Sequence, residues 1–290
     1  MKRIYTITTI IFLCLNSLFS QTTSISGKII SEENNAPLSY VNIGIPNKNL
    51  GTVSREDGSF TLKLPREIVE KDTLIFSYIG YETQKIATSK LKTSGNEVIL
   101  KPAKTYLDEV VLETQELKAK KIGRTNTGLG LMHYNFYTAD EKDVDDRLSK
   151  ELGMNLKLRR NCRLEKFNFA VTSNDFKSLK FRINIYNIKN NEPDSLLISN
   201  NIIFELKDKE NGWQSVDLDP YNIYLKEEVE EIMVSIQWLE SVKAEKDSKY
   251  FAIAASQSPF HKVYFRNKAM DSWASQTGSL SMYIDAKCDK

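Results

Sequence analysis

Only two histidines, His133 and His261, occur in this 290-residue chain, and neither sits in an HxxxH or HExxH spacing that would aim two imidazoles at one zinc ion. No GxSxG elbow or cysteine-nucleophile signature is present, and "GLG" (128–130) lacks the further glycines of a nucleotide-binding loop. A carboxylate pair for glycoside hydrolysis depends on separation in space rather than in sequence, and no pair stands out. The acidic run "DEKDVDD" (140–146) offers oxygen ligands of the kind calcium takes. It lacks the glycine and closing glutamate of an EF-hand loop, and reads instead as a solvated helix start whose acids suit the helix dipole. The chain is therefore expected to be non-catalytic, with no cofactor and no metal. An unrecognised hydrolase, which would need a deep pocket with converging acids or His261, stands as the alternative.

Aromatic side chains carry the one ligand hint. Trp238 is in phase with Ile232, Val234 and Ile236 and belongs in a core. Trp213 alternates with Val216 and Leu218 and faces outward. Trp273 lies in the polar stretch "NKAMDSWASQTGS", and Tyr264 alternates with Val263 and Phe265. Exposed aromatics on a sheet can stack on sugar rings, so Trp273, Trp213 and Tyr264 are the candidate ligand-binding residues of a carbohydrate-binding protein. The opposing expectation is that they cap core ends or pack between domains.

The elements that would position these residues are β-strands. Alternation is clear in "SFTLKL", "KFNFAV", "KFRINIYNI", "IIFEL", "IMVSIQWL" and "SLSMYIDA". One helix is expected over 143–152, where Val144, Leu148 and Leu152 are spaced four apart. The charged, polar segment 113–127 reads as a linker between two strand-rich domains, 23–112 and 128–290. In "GTVSREDGSFTLKLP" the Asp57-Gly58 pair predicts a tight type I′ hairpin turn, with Phe60, Leu62 and Leu64 on one face and Pro65 closing the strand.

The first twenty residues have a basic start (Lys2, Arg3), the apolar run "IIFLCL" (10–15) and small residues near a cut after Ser20. That is the pattern of a secretory signal peptide rather than a lasting membrane anchor. Leu13 before Cys14, where a lipoprotein signal needs a small residue, argues against lipidation. Lys2 and Arg3 account for the whole excess of 40 basic over 38 acidic residues, so the mature chain is formally neutral and nucleic acid is not an expected partner. Two local basic runs, "KAKK" (118–121) and "KLRR" (157–160), read as a solvated linker and an exposed strand edge. No transmembrane segment is expected in the mature chain. Its place is the periplasm, the outer-membrane surface or the medium, with an unknown protein or glycan of the cell envelope as partner.

Export also bears on the cysteines. Cys162 is in phase with Leu158 and Leu164, and Cys288 with Met282 and Ile284. If the first and last strands of the second domain lie side by side, an oxidising compartment would let the two pair; otherwise they remain separate thiols.

The run "ISGKIISEENNAPLSYVNIGIPNKNLGTVSREDGSFTLKLP", followed by "DTLIFSYIGYETQ" and "LDEVVL" (107–112), resembles the carboxypeptidase-regulatory-like (transthyretin-like) domain common in exported proteins of Bacteroidetes. Gly27, Pro37-Leu38, Gly51-Thr52 and Gly80-Tyr81 fall in that family's order. The resemblance implies a seven-stranded β-sandwich and carries no catalytic residues. Such domains often precede the plug and barrel of TonB-dependent receptors. Here 290 residues leave only 178 beyond Leu112, too few for such a barrel, so an accessory role beside such a system is the related expectation. The cues "FRINIYNI", "GWQSVDLDPYNIYL" and "VSIQWLE" resemble β-sandwich modules that follow this domain in uncharacterised exported proteins. The expected fold is all-β: a transthyretin-like sandwich followed by a jelly-roll-like antiparallel sandwich.

Expressed with its leader, the chain is expected to be exported and to begin at Gln21. N-terminal sequencing checks this; an intact Met1, or a lipid on Cys14, contradicts it.

Overall fold

A computed structural model describes residues 22–65, 68, 71–103, 117–128, 132–138 and 141–290. The expected leader with Cys14, the "LDEVVL" motif and residues 113–116 of the expected linker lie outside the described residues. Among the described residues every strand belongs to one of two sandwiches, and the helices are short.

In the first module, β1 (Thr22–Ser31) lies between β4 (Ser59–Pro65) and β7 (Asn96–Leu100), antiparallel to one and parallel to the other. The facing sheet runs β3-β2-β5-β6, from Leu50–Val53, Asn42–Ile45, Thr73–Ser77 and Gln84–Ala87. These seven strands enclose a core of Ile25, Ile29, Ile43, Phe60, Leu62, Leu64, Phe76 and their neighbours. Phe60, Leu62 and Leu64 are buried, while Thr61 and Lys63 between them are exposed, as a period of two requires.

The turn before β4 differs from the expected type I′ hairpin. β3 and β4 belong to different sheets, so the turn crosses between layers and does not close a ladder. The Gly58 N–H donates to Arg55 O (3.0 Å) and the Arg55 N–H to Ser59 O (2.7 Å). Only Gly58 has positive φ there (+77°). Asp57 accepts from the Ser59 N–H and hydroxyl (2.9 and 2.6 Å), which holds the turn and lowers the carboxyl's pKa.

The second module begins with β8 (Lys118–Gly123) and β9 (Met132–Asn135). There follow β10 (Glu151–Lys157), β11 (Cys162–Asn174), β12 (Phe176–Lys189), β13 (Glu192–Leu196), β14 (Ile202–Lys207), β15 (Gly212–Asp217) and β16 (Tyr224–Leu225). Last come β17 (Glu231–Lys243), β18 (Phe251–Ser256), β19 (Lys262–Arg266), β20 (Ala274–Thr277), β21 (Ser279–Leu280) and β22 (Met282–Cys288). One sheet has the order β13-β12-β17-β10-β19-β20, with β14 also on β12. We call it the seam sheet. The other, the outer sheet, runs β21-β18-β11-β22-β8, with β15 and β16 on β11 and β9 on β18. Chain order passes repeatedly from one sheet to the other, β10 to β11 to β12 and β17 to β18 to β19, as in a jelly roll. Trp238 is buried at the centre, with the rings of Phe136, Phe176, Phe181 and Phe251 all within 6.0 Å.

Two further expectations change. The helix expected over 143–152 is a single 3₁₀ turn, Val144–Arg147. Asp143 and Asp146 form a capping box around it, Ser149 takes a φ of +73°, and Leu152 already belongs to β10. The fourfold apolar spacing was coincidental, because Leu152 faces the sandwich core. Part of the expected linker is also strand. Residues 118–123 form the edge strand β8, antiparallel to β22, so the second sandwich starts before residue 128.

Cys162 and Cys288 are directly opposite one another in the β11–β22 register and are joined by a disulfide, S–S 2.07 Å. The bond ties the start of β11 to the end of the last strand, closing 126 residues.

Gly58→Val is expected to destabilise the first module by about 1–3 kcal/mol, since it forces a β-branched residue to positive φ. A new Cβ would also lie 2.7 Å from Ile29 O. Asp57→Asn, which keeps an acceptor for Ser59, is expected to be nearly neutral. Urea midpoints check both, and an unchanged midpoint for Gly58→Val would refute the turn argument. For the disulfide, intact mass after alkylation without reductant should show no labelled thiol. Reduction should cost at most about 4–5 kcal/mol by loop-closure entropy. Two labelled thiols in the unreduced protein would rule the bridge out.

Candidate functional site

The three aromatic candidates do not form one platform. Trp213 stands on the exposed face of the outer sheet, 41% accessible, with its ring edge-on to Tyr283 at 5.3 Å. Trp273 lies on the far side of the sandwich, against the seam sheet, beside Tyr186 (5.5 Å) and with the Arg266 guanidinium 4.4 Å from its ring centre. Tyr264, expected to be exposed, is 1% accessible; its hydroxyl donates to Asn191 O (3.1 Å), and burial raises its pKa. Alternation misled here because the face of β19 that carries Tyr264 is itself covered, by Tyr186, Met233 and Trp273 of the same module.

Further along the same face of this sheet runs a polar seam that reaches the first module. Glu151, fully buried on β10, accepts from Asn184 (2.8 Å) and Ser235 through one oxygen. Its other oxygen accepts from Tyr186 (3.3 Å) and, through two nitrogens, from Arg266 (3.0 and 2.7 Å). Burial, reinforced by Glu151, pushes the Tyr186 phenol far above its ordinary value, so it stays a donor. Next along the same face, Arg182 on β12 donates to Asn201 (2.6 Å), Gln237 (3.0 Å) and, across the boundary, Tyr40 O (2.7 Å). Gln237 reaches Asn42 of β2 (2.9 Å), and Asn201 reaches the Tyr78 hydroxyl (3.0 Å). At the margin Lys180 pairs with Glu56 of the first module (3.0 Å) and Glu240 of the second (3.2 Å). Tyr40, whose hydroxyl bridges Lys180 and Glu240, is pushed up to about 12 by burial. Backbones also meet. A Cβ on Gly44 of β2 would fall 2.1 Å from Ala269 O, so only glycine admits this approach.

The residues with a free binding geometry lie elsewhere, at the end of the sandwich that carries the disulfide. A pocket of about 450 Å³ is lined by Lys120, Lys157, Arg159, Arg160, His261 and Phe260, over a floor that includes Ile122, Leu156 and the Cys162–Cys288 bridge. The two basic runs, "KAKK" and "KLRR", thus converge although 35 residues lie between Lys121 and Lys157. The Arg160 guanidinium donates to Asp289 O (3.1 Å), and Lys121, also on the wall, pairs with Asp285 (3.1 Å). No carboxylate lines the pocket. The His261 Nδ1–H is directed at Asn155 O (3.3 Å), which orients the ring. Phe260 at the rim is 80% accessible. His133 is on β9, opposite Ala254, and does not join this group. Sequence reasoning noticed both basic runs but had no means of pairing them; β8 read as linker concealed the fold-back. Asp143 and Asp146 cap their own turn, and among the described residues no group of three or more His, Cys, Asp or Glu is placed to hold a metal ion.

No helix among the described residues is long and apolar enough to cross a membrane. A comparison with curated proteins finds no match. Among solved structures, the major pilin subunit of Bacillus cereus, BcpA, is 10% identical, with a TM-score of 0.18 over 90% of this chain and 69% of its own. A structure of infectious bursal disease virus, Gx strain, is 8% identical, with a TM-score of 0.24 over 93% and 80%. Scores this low carry no argument about fold or role. The first module is different: with the seven strands, the Gly58 turn and the close-packed Gly44 and Gly51 strands in place, residues 25–112 match the CarboxypepD_reg-like domain.

Proposed function

We propose that this protein is a non-catalytic, exported component of the cell envelope, in which two β-sandwiches serve as a single structural or binding unit. The seam is the observation that carries this reading. Arg182, Gln237 and Asn201 each donate a hydrogen bond to a group of the first module, and Gly44 admits backbone contact with the loop at Ala269. Modules joined by a flexible tether have no need of buried polar groups whose partners lie across the boundary, because separation would leave those groups unpaired at a cost of about 1–3 kcal/mol each. The leader pattern supports export, and the CarboxypepD_reg-like domain brings no catalytic residues of its own. A carbohydrate platform built from Trp213, Trp273 and Tyr264 is not part of this reading, since the first two face opposite sides and the third is buried.

Expressed with its leader in Gram-negative cells, the chain is expected in the envelope fraction or the medium. Scanning calorimetry of the purified protein should show one transition spanning both modules, and Gly44→Val should split it in two. A chain retained in the cytosol would overturn the envelope assignment. Two separate transitions in the unsubstituted protein would overturn the single-unit reading.

A further inference from the structure

We propose that the pocket at the disulfide end binds a phosphorylated sugar, with its phosphoryl group among Lys120, Lys157 and Arg159 and its ring against Phe260. The inference rests on the binding reading above and names the ligand class.

Charge is the first argument. The chain without its leader is neutral, yet Lys120, Lys157, Arg159 and Arg160 meet here with no carboxylate on the wall. Among the described residues, Lys120, Lys157 and Arg159 form no ion pair, whereas Lys121 on the same strand is paired with Asp285. Cations that repel one another at close range are stabilised by an anion between them. A guanidinium with two ammonium groups matches a dianionic phosphoryl group, which Arg can engage through two nitrogens and Lys as a point charge.

The rim supplies the second. Phe260 is the most exposed large apolar side chain among those described, and it stands at the mouth of a charged pocket beside His261. An isolated phosphate gives such a ring nothing to cover, but a sugar carrying the phosphate would place a C–H face on it. Size agrees: about 450 Å³ is in the range of small-molecule sites and holds a monosaccharide phosphate, but not a folded partner.

Construction is the third. One wall is β8, held on β22, which pairs with β11; the other is the end of β10 with Lys157 and the short connection carrying Arg159 and Arg160, which runs directly into Cys162 of the Cys162–Cys288 bridge. Backbones fixed in this way bring the cationic side chains to one place before ligand arrives, which reduces the ordering loss on binding.

Titration calorimetry with glucose 6-phosphate, glucose and inorganic phosphate as separate probes tests this. Vesicles of phosphatidylcholine with and without monophosphoryl lipid A distinguish a soluble phosphosugar from a lipid-borne one. Saturable binding of glucose 6-phosphate or of the lipid A vesicles is expected, weakening as salt rises. It should fall at least tenfold in Lys120→Glu/Arg159→Glu, with the melting transition retained. Phe260→Ala should weaken the sugar phosphate more than inorganic phosphate. The proposal is overturned if neither phosphosugar source binds at millimolar concentration, if glucose binds as well as its phosphate, or if the paired substitution leaves binding unchanged. Release of inorganic phosphate from bound glucose 6-phosphate, abolished by the same substitutions, would support the site while overturning the non-catalytic reading.

Discussion

The central strands of the seam sheet, β12, β17 and β10, are buried on both faces over most of their length, and the rest of the architecture depends on that constraint. A sheet with a core on one side and water on the other needs only alternation. Along β17, residues 232–239 are all buried, with Val234, Ile236 and Trp238 toward the core and Met233, Ser235, Gln237 and Leu239 on the other side. The second set mixes apolar with polar groups, so its cover must supply hydrogen-bond partners as well as exclude water. Ser235 is satisfied within the module, by Glu151, and Gln237 partly by Asn42 of the first. Leu239 packs with Tyr40 and Val53 of the first module. The contact therefore has a defined position along the strand.

The charges in this layer act more as locators than as stabilisers. Desolvating Glu151 and Arg266 offsets much of their attraction, so the pair adds little net stability over a well-packed apolar substitute. Losing one member is another matter: it strands the other, at about 3–5 kcal/mol. Glu151 accepts from β12, β17 and β19, with Asn184, Ser235 and Arg266 as donors, so a one-residue slip of any of these strands would strand it. Arg182 does the same between modules, because its guanidinium has a fixed fork whose outer nitrogen fits the Tyr40 carbonyl. Gly44 and Ala269 then set the distance and Arg182 the lateral position. The outer Lys180–Glu56 pair is solvent-exposed on the acid's side, and such pairs contribute about 0–1 kcal/mol.

How much of this was legible follows the range of the interactions. Period-two alternation is a local property, and it placed Phe60, Leu62, Leu64 and Trp238 correctly. Gly58 was legible as a turn glycine, but not the turn's type, because type I′ presumes two paired strands and β3 and β4 diverge into separate sheets. The fourfold spacing of Val144, Leu148 and Leu152 looked helical, yet the capping box and the positive φ at Ser149 end the turn after four residues. Tyr264 was misplaced because its cover, Tyr186, Met233, Trp273 and the Asn191 carbonyl, comes from distant parts of its own module; the seam is hard to see for a related reason, since nothing in one strand tells a polar face that meets water from one that meets another module. Ser235 and Gln237 would fit either.

The same blindness to distant neighbours hid the pocket, and the physical contrast between its cations and those of the seam shows why the two differ in kind. In the seam, Arg182 and Arg266 are buried and every guanidinium nitrogen with a described bond has an oxygen opposite it within 3.1 Å. Burial lowers the pKa of Arg182, and only fixed partners make a buried cation tolerable. In the pocket, Lys120, Lys157 and Arg159 keep their heads in water and need no partner for folding, so packing alone does not account for their convergence. Residues 21–290 carry equal numbers of acids and bases, carboxylates enough to disperse among these cations, as Asp285 is beside Lys121. Excluding carboxylates from one wall while the rest of the chain is balanced raises the local potential without adding net charge, which is the condition for drawing an anion to one place on an otherwise neutral surface.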